Sequence, residues 1–90
     1  MNRILVVLTI HTHDLPSNFP QIIEKEREHV AQWKQAGFLE HLYLRPTRNG
    51  AVFIFKELDQ AQVEALMTEL PLYPFRSSLE ILPLIKDASI

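Results

Sequence analysis

The stretch from Phe38 to Leu58 reads FLEHLYLRPTRNGAVFIFKEL. Two runs rich in branched and aromatic residues, Phe38 to Thr47 and Ala51 to Leu58, flank Arg48-Asn49-Gly50, and Asn-Gly between such runs is a strong hairpin signal. With Asn49 and Gly50 as the turn residues, Gly50 takes a positive φ. Leu42, Leu44, Phe53 and Phe55 then share one side of the hairpin, and Leu39, Tyr43, Val52 and Ile54 share the other. Both sides are apolar, so both need cover.

Working back from Phe38, Gly37 is placed to end a helix in the left-handed conformation. That helix starts after Leu15-Pro16-Ser17-Asn18, with Asn18 as its cap and Pro20 in its first turn, and runs to about Gln35 or Ala36. Before it, Arg3 to Ile10 is almost wholly aliphatic, which suits a strand buried on both faces. Working forward from Leu58, Asp59 followed by Gln62 is a capping pattern. Val63, Leu66, Met67 and Leu70 then recur at helical spacing until Pro71. Leu72-Tyr73-Pro74-Phe75 is a stiff connector, and Leu79 to Ile85 is a last strand whose Pro83 implies an edge or a bulge.

The order β-α-β-β-α-β specifies a ferredoxin-like α+β fold, an antiparallel four-stranded sheet with both helices on one face. The other face of the sheet is left uncovered. At about 25 cal/mol per Å², several wet apolar side chains cost an amount comparable with the stability of a small domain. A second copy of the sheet is the natural cover, and a symmetric homodimer is the commonest way to supply it.

At 90 residues, the chain is expected to form a single domain over residues 1–90. Its formal charge of −2 is spread without blocks, which argues against nucleic acid and anionic membranes as partners. The absence of cysteine removes disulfides, thiolate metal sites and a cysteine nucleophile, and fits a cytoplasmic protein. No apolar run approaches the roughly 18 residues of a membrane span. With Gly37 and Gly50 the two glycines, no phosphate-cradling loop can be built, and no serine sits in a nucleophile elbow.

The candidate chemistry centres on Glu26. At about 100° per residue, Phe19, Ile22, Ile23, Val30 and Trp33 fall in one arc of the first helix, with Glu26 near its middle. Spacing leaves two readings open. A carboxylate in an apolar pocket has its pKa raised and suits a general base; alternatively Glu26 belongs to the solvated run Glu24-Lys25-Glu26-Arg27-Glu28. His41, Tyr43 and Arg45 alternate along the second strand, so they form either a hydrogen-bonding row lining a cavity beneath the helix or a polar margin at an interface. Trp33, Tyr73 and Phe75 are either an aromatic pocket wall or core. His29 sits at the edge of the helix's apolar arc, as a boundary residue. His11 and His13 have the spacing of two strand ligands beside Asp14, but nothing points to further ligands, so no metal is expected.

Three segments resemble the muconolactone isomerase family: Glu26-Arg27-Glu28 running to Gly37, then His41-Leu42-Tyr43, and Val63-Glu64-Ala65-Leu66 leading into Leu70-Pro71-Leu72-Tyr73-Pro74-Phe75. Together they span about residues 26 to 82. The resemblance implies a dimeric α+β barrel, assembly into decamers built from dimers, and a cofactor-free double-bond shift on a small lactone in aromatic catabolism. It also implies proton transfer by Glu26 and a site histidine at His41. Trp33, Tyr43, Arg45 and Tyr73 are the expected substrate-binding residues. The chain departs from the family at Gly50-Ala51-Val52, where the isomerases carry aromatic and amide side chains, and its loop before the first helix is shorter. The expected function is therefore isomerisation of a small lactone or related unsaturated acid. The alternatives are a cofactor-free monooxygenase of the dimeric-barrel type, resting on Trp33 and the tyrosines, and a non-catalytic ligand-binding barrel.

Overall fold

The computed structural model describes residues 2–90. Its elements are β1 (Asn2–Ile10), α1 (Phe19–Ala36), β2 (Leu39–Leu44), β3 (Gly50–Lys56), α2 (Gln60–Thr68), a 3₁₀ turn (Tyr73–Phe75) and β4 (Arg76–Ile85). The sheet is antiparallel with strand order β2-β3-β1-β4, the ferredoxin-like β-α-β-β-α-β arrangement. β4 begins three residues earlier than its apolar pattern suggests, and Pro83 lies on this edge strand opposite Ile4.

The side chains of β1 alternate between two environments. Ile4, Val6, Leu8 and Ile10 are buried against Phe53 and Phe55 of β3, Trp33 of α1, and Val63 and Met67 of α2. Leu5 and Val7 point to the helix-free face and are half-buried, so the two-sided cover expected for this strand is incomplete in the chain by itself. Leu5 and Val7 stand beside Ile54 and Val52 on β3, and Leu82 of β4 stands on Leu5's other side, so the open face carries an apolar patch.

The ends of the helices follow the residues that close them. Gly37 takes φ 92° and its N–H returns to the Lys34 carbonyl, ending α1 as expected. At the other end, the Asn18 side chain makes no capping bond; its carbonyl accepts from Gln21 and Ile22 N–H instead. α2 opens on a complete capping box, with Gln62 N–H donating to Asp59 Oδ1 at 2.7 Å and Asp59 N–H to Gln62 Oε1 at 2.8 Å.

The hairpin differs from its two-residue expectation in turn and in register. Arg45 and Gly50 already pair across the strands, and Arg48 N–H closes a turn onto the Arg45 carbonyl at 2.9 Å. Pro46 thus occupies the position for which its fixed φ is preorganised, and the connection is Pro46-Thr47-Arg48-Asn49. Arg48, not Gly50, carries the positive φ, at 59°. Gly50 is needed for another reason: a Cβ there would lie 2.1 Å from the Leu8 carbonyl oxygen of the neighbouring strand.

The register is irregular between Leu39 and His41. An extra residue in one strand reverses the facing of everything beyond it. Leu39, expected on the side of Tyr43, is therefore opposite Phe55 and buried in the core. Glu40 at the irregularity receives two bonds from Arg3, Nε to Oε1 at 2.7 Å and Nη2 to Oε2 at 3.0 Å.

Candidate active site

Glu26 is the one buried polar residue among the described residues, with 7% of its surface exposed. Its position on the helix's apolar arc forces it inward, because the residues a turn away, Ile22, Ile23 and Val30, anchor that face. Its Oε1 accepts a hydrogen bond from Leu72 N–H at 3.0 Å. The donor is available because Pro71 and the 3₁₀ turn after it hold Leu72 outside any ladder. No fully buried side-chain polar atom lacks a partner among the described residues, so Oε2, which has none, keeps an opening to its surroundings. Burial pushes the carboxyl above the usual glutamate range, while the Leu72 N–H and the nearby His29 pull partly the other way.

Glu26 lines a groove of about 1200 Å³ between α1 and the β2-β3 wall. Its apolar lining comes from Ile23 and Val30 of α1, Leu42 and Leu44 of β2, and Ala51 and Phe53 of β3. Arg27, Lys34 and Arg48 also line it, and all three are exposed, which places them at its rim. A desolvated carboxylate inside an apolar groove with a cationic mouth can hold, release and recapture a proton next to a bound anion.

The structure leaves Trp33, Tyr43 and Tyr73 outside the groove, while His41 and Arg45 line it with Glu26. His41 and Tyr43 are opposite Ile54 and Val52, so their side chains belong to the helix-free face. Arg45 reaches Thr9 Oγ1 at 3.4 Å, on that same face. The three do form a row, with the His41 and Tyr43 rings 6.1 Å apart, but the row is not beneath the helix. His41 and Arg45 nevertheless border the groove. Trp33 is core: it is 5% exposed and packs on Phe55 at 5.7 Å and on Phe38 and Phe53 at 6.4 Å. Tyr73 lies outside the groove, with the Arg76 guanidinium 3.8 Å from its ring centre. The His11 and His13 rings lie 4.9 Å apart, tilted by 46°, and no cluster of three metal-ligating side chains occurs among the described residues.

The muconolactone delta-isomerase family model matches residues 5–89. The chain belongs to the muconolactone delta-isomerase family. Among solved structures, this family member is similar to a muconolactone isomerase at TM-score 0.78 and 18% identity, over 100% of this chain and 94% of that one. It is similar at TM-score 0.65 to an antibiotic biosynthesis monooxygenase, at 17% identity over 97% of this chain and 99% of that one. A 5-chloro-2-hydroxyhydroquinone dehydrochlorinase from Burkholderia phenoliruptrix, solved with 2,5-dihydroxybenzoquinone, matches at TM-score 0.65 and 11% identity, over 97% and 96% of the two chains. At such identities these likenesses establish the fold alone. No curated protein sequence matches this family member. Among the described residues, no helix is long and apolar enough to cross a membrane.

Two parts of the groove were hidden in the sequence. The Leu72 amide is a backbone group, and its tie to Glu26 spans 46 positions. The cations of the rim sit on exposed positions of α1 and the hairpin loop, where basic residues are ordinary.

Proposed function

We propose that the groove is the active site of a cofactor-independent isomerase of a small lactone or related unsaturated acid, with Glu26 as the proton carrier. The observation that supports this most directly is the buried Glu26 carboxylate, which accepts from Leu72 N–H at Oε1 and lines the groove. In the reaction Glu26 removes a proton from a carbon next to the conjugated carbonyl system. The C–H electron pair moves into the enolate, the double bond shifts, and the same carboxyl returns the proton to the far carbon. Its raised pKa brings it nearer to that of a carbon acid, which makes the transfer less uphill. The enolate charge and any substrate carboxylate face the cationic rim of Arg27, Lys34 and Arg48.

The monooxygenase alternative draws on Trp33, Tyr43 and Tyr73, and none of these lines the groove. The proposal therefore stands on the carboxylate. Its test is the absorbance change of muconolactone with purified protein. Turnover by the wild type, lost in Glu26→Gln with ligand affinity largely kept, supports it; equal turnover in the variant refutes it.

The proposal includes a second copy of the chain on the open sheet face, where Leu5, Val7, Val52, Ile54, Leu82 and Leu84 stand half-covered or exposed. Light scattering should give a mass of at least twice 10.5 kDa. Ile54→Asp should lower it, and a wild-type monomer at micromolar concentration would refute this part.

A further inference from the structure

The proton shift uses Glu26 and the rim, and leaves two features of the groove without a role. The first is size: about 1200 Å³ exceeds the range of roughly 300 to 1,000 Å³ usual for sites that bury a drug-sized ligand. A single lactone ring with a carboxylate fills only a small part of it. The second is the strand wall. Leu42 and Leu44 face the helix side opposite Phe53 and Ala51, yet they are 38% and 67% exposed, because α1 does not reach over them. Ala51, the partner of Leu44, is too small to close the gap beside it.

Charge narrows the occupant further. Arg27, Lys34 and Arg48 have no ion pair among the described residues. Of the two carboxylates that contribute to the groove, Glu40 is held by Arg3 and Glu26 lies inside. The mouth is thus positive in a chain whose formal charge is −2. We propose that the ligand is a carboxylic acid with an extended apolar arm, alkyl or aryl, whose arm lies along Leu42, Leu44 and Ala51 and whose carboxylate meets the cationic mouth. This rests on the groove being the substrate site, and it assigns the substrate class an apolar extension that the proton shift does not need.

The test is calorimetric titration of the full chain with straight-chain carboxylates from butanoate to decanoate and with the matching primary amides. Each added methylene should tighten binding about fourfold until the strip is covered, following about 0.8 kcal/mol per buried methylene. The amides should bind at least several-fold more weakly, and added salt should narrow that gap. Ala51→Leu should remove the chain-length dependence while short acids still bind. Leu44→Gln, at a position exposed enough to tolerate the change, should weaken the long acids alone. Affinity independent of length, amides equal to acids, or no binding of any acid because a second copy fills the groove would each overturn the proposal. Binding is read without turnover, so a wild type that binds long acids but leaves muconolactone unchanged refutes the isomerase and spares the ligand class.

Discussion

Gly50→Ala adds one carbon where β3 runs close against the backbone of β1. That carbon would lie 2.1 Å from the Leu8 carbonyl oxygen and 3.2 Å from both Leu8 C and Thr9 Cα. Ordinary contact with the oxygen needs more than an additional ångström. The obstacle is backbone in the central strand, which is hydrogen-bonded on both sides to β3 and β4, so no side chain can rotate away. Overpacking of this kind costs about 1–3 kcal/mol, and the rigidity of β1 puts Gly50→Ala toward the upper end. For a domain of this size 1 kcal/mol moves the melting temperature by about 4–8 °C, so the variant should melt roughly 8–20 °C below the wild type. Thermal denaturation followed by circular dichroism reads this directly. Because Gly50 does not have a positive φ, backbone strain predicts no penalty for alanine there; an unchanged melting temperature would therefore refute the close-approach argument itself.

Arg48→Gly should be neutral or stabilising by up to about 1 kcal/mol in urea denaturation, since it relieves a left-handed residue at φ 59° while adding freedom to the unfolded chain. Asp59→Ala should cost about 0.5–2 kcal/mol by removing the bond from Gln62 N–H to Asp59 Oδ1, while the backbone N–H of residue 59 can still donate to Gln62 Oε1, and Asp59→Asn should recover most of it. Glu26→Gln should grow more stable relative to the wild type as pH rises from about 4 to 8. The folded pKa of Glu26 is raised, so between the unfolded and folded values the folded state binds more protons and wild-type stability falls with pH, a fall the amide lacks. A stability difference that stays constant over that range would contradict the burial assigned to Glu26.

The fold was legible because its signals are local and agree with one another. Gly37 and the Asp59-Gln62 pair mark helix ends by chemistry that works within a few residues, and the aliphatic run Arg3 to Ile10 leaves little choice but a strand. The hairpin turn was misread because two turn signals compete within five residues. Pro46 fixes its own φ, whereas Asn49-Gly50 merely permits a positive one, and β1 needs Gly50 in the ladder. That demand comes from Leu8, 42 positions away, and no inspection of the hairpin alone contains it. The same holds for the irregularity at Glu40, whose carboxylate is drawn to Arg3 on β1 across the intervening strand.

The register of that one edge strand decides which groups Glu26 can work with. Alternation correctly placed His41, Tyr43 and Arg45 together, but alternation has no sign until something fixes which side the helices occupy. Leu42 and Leu44 fix it, because they stand opposite Phe53 and Ala51 on the helix side. The side chains of His41 and Tyr43 then belong to the other face, and a leucine strip lines the groove, which His41 and Arg45 still border. Helix α1 solves the same problem from the other direction. Its arc has a sign, set by Trp33 and Val30 against the sheet, so the inward aim of Glu26 follows from the helix alone. A buried carboxylate with one backbone donor is costly to keep. In a wall that is otherwise leucine, valine and phenylalanine, that cost is the physical reason to treat Glu26 as the group on which the chemistry turns.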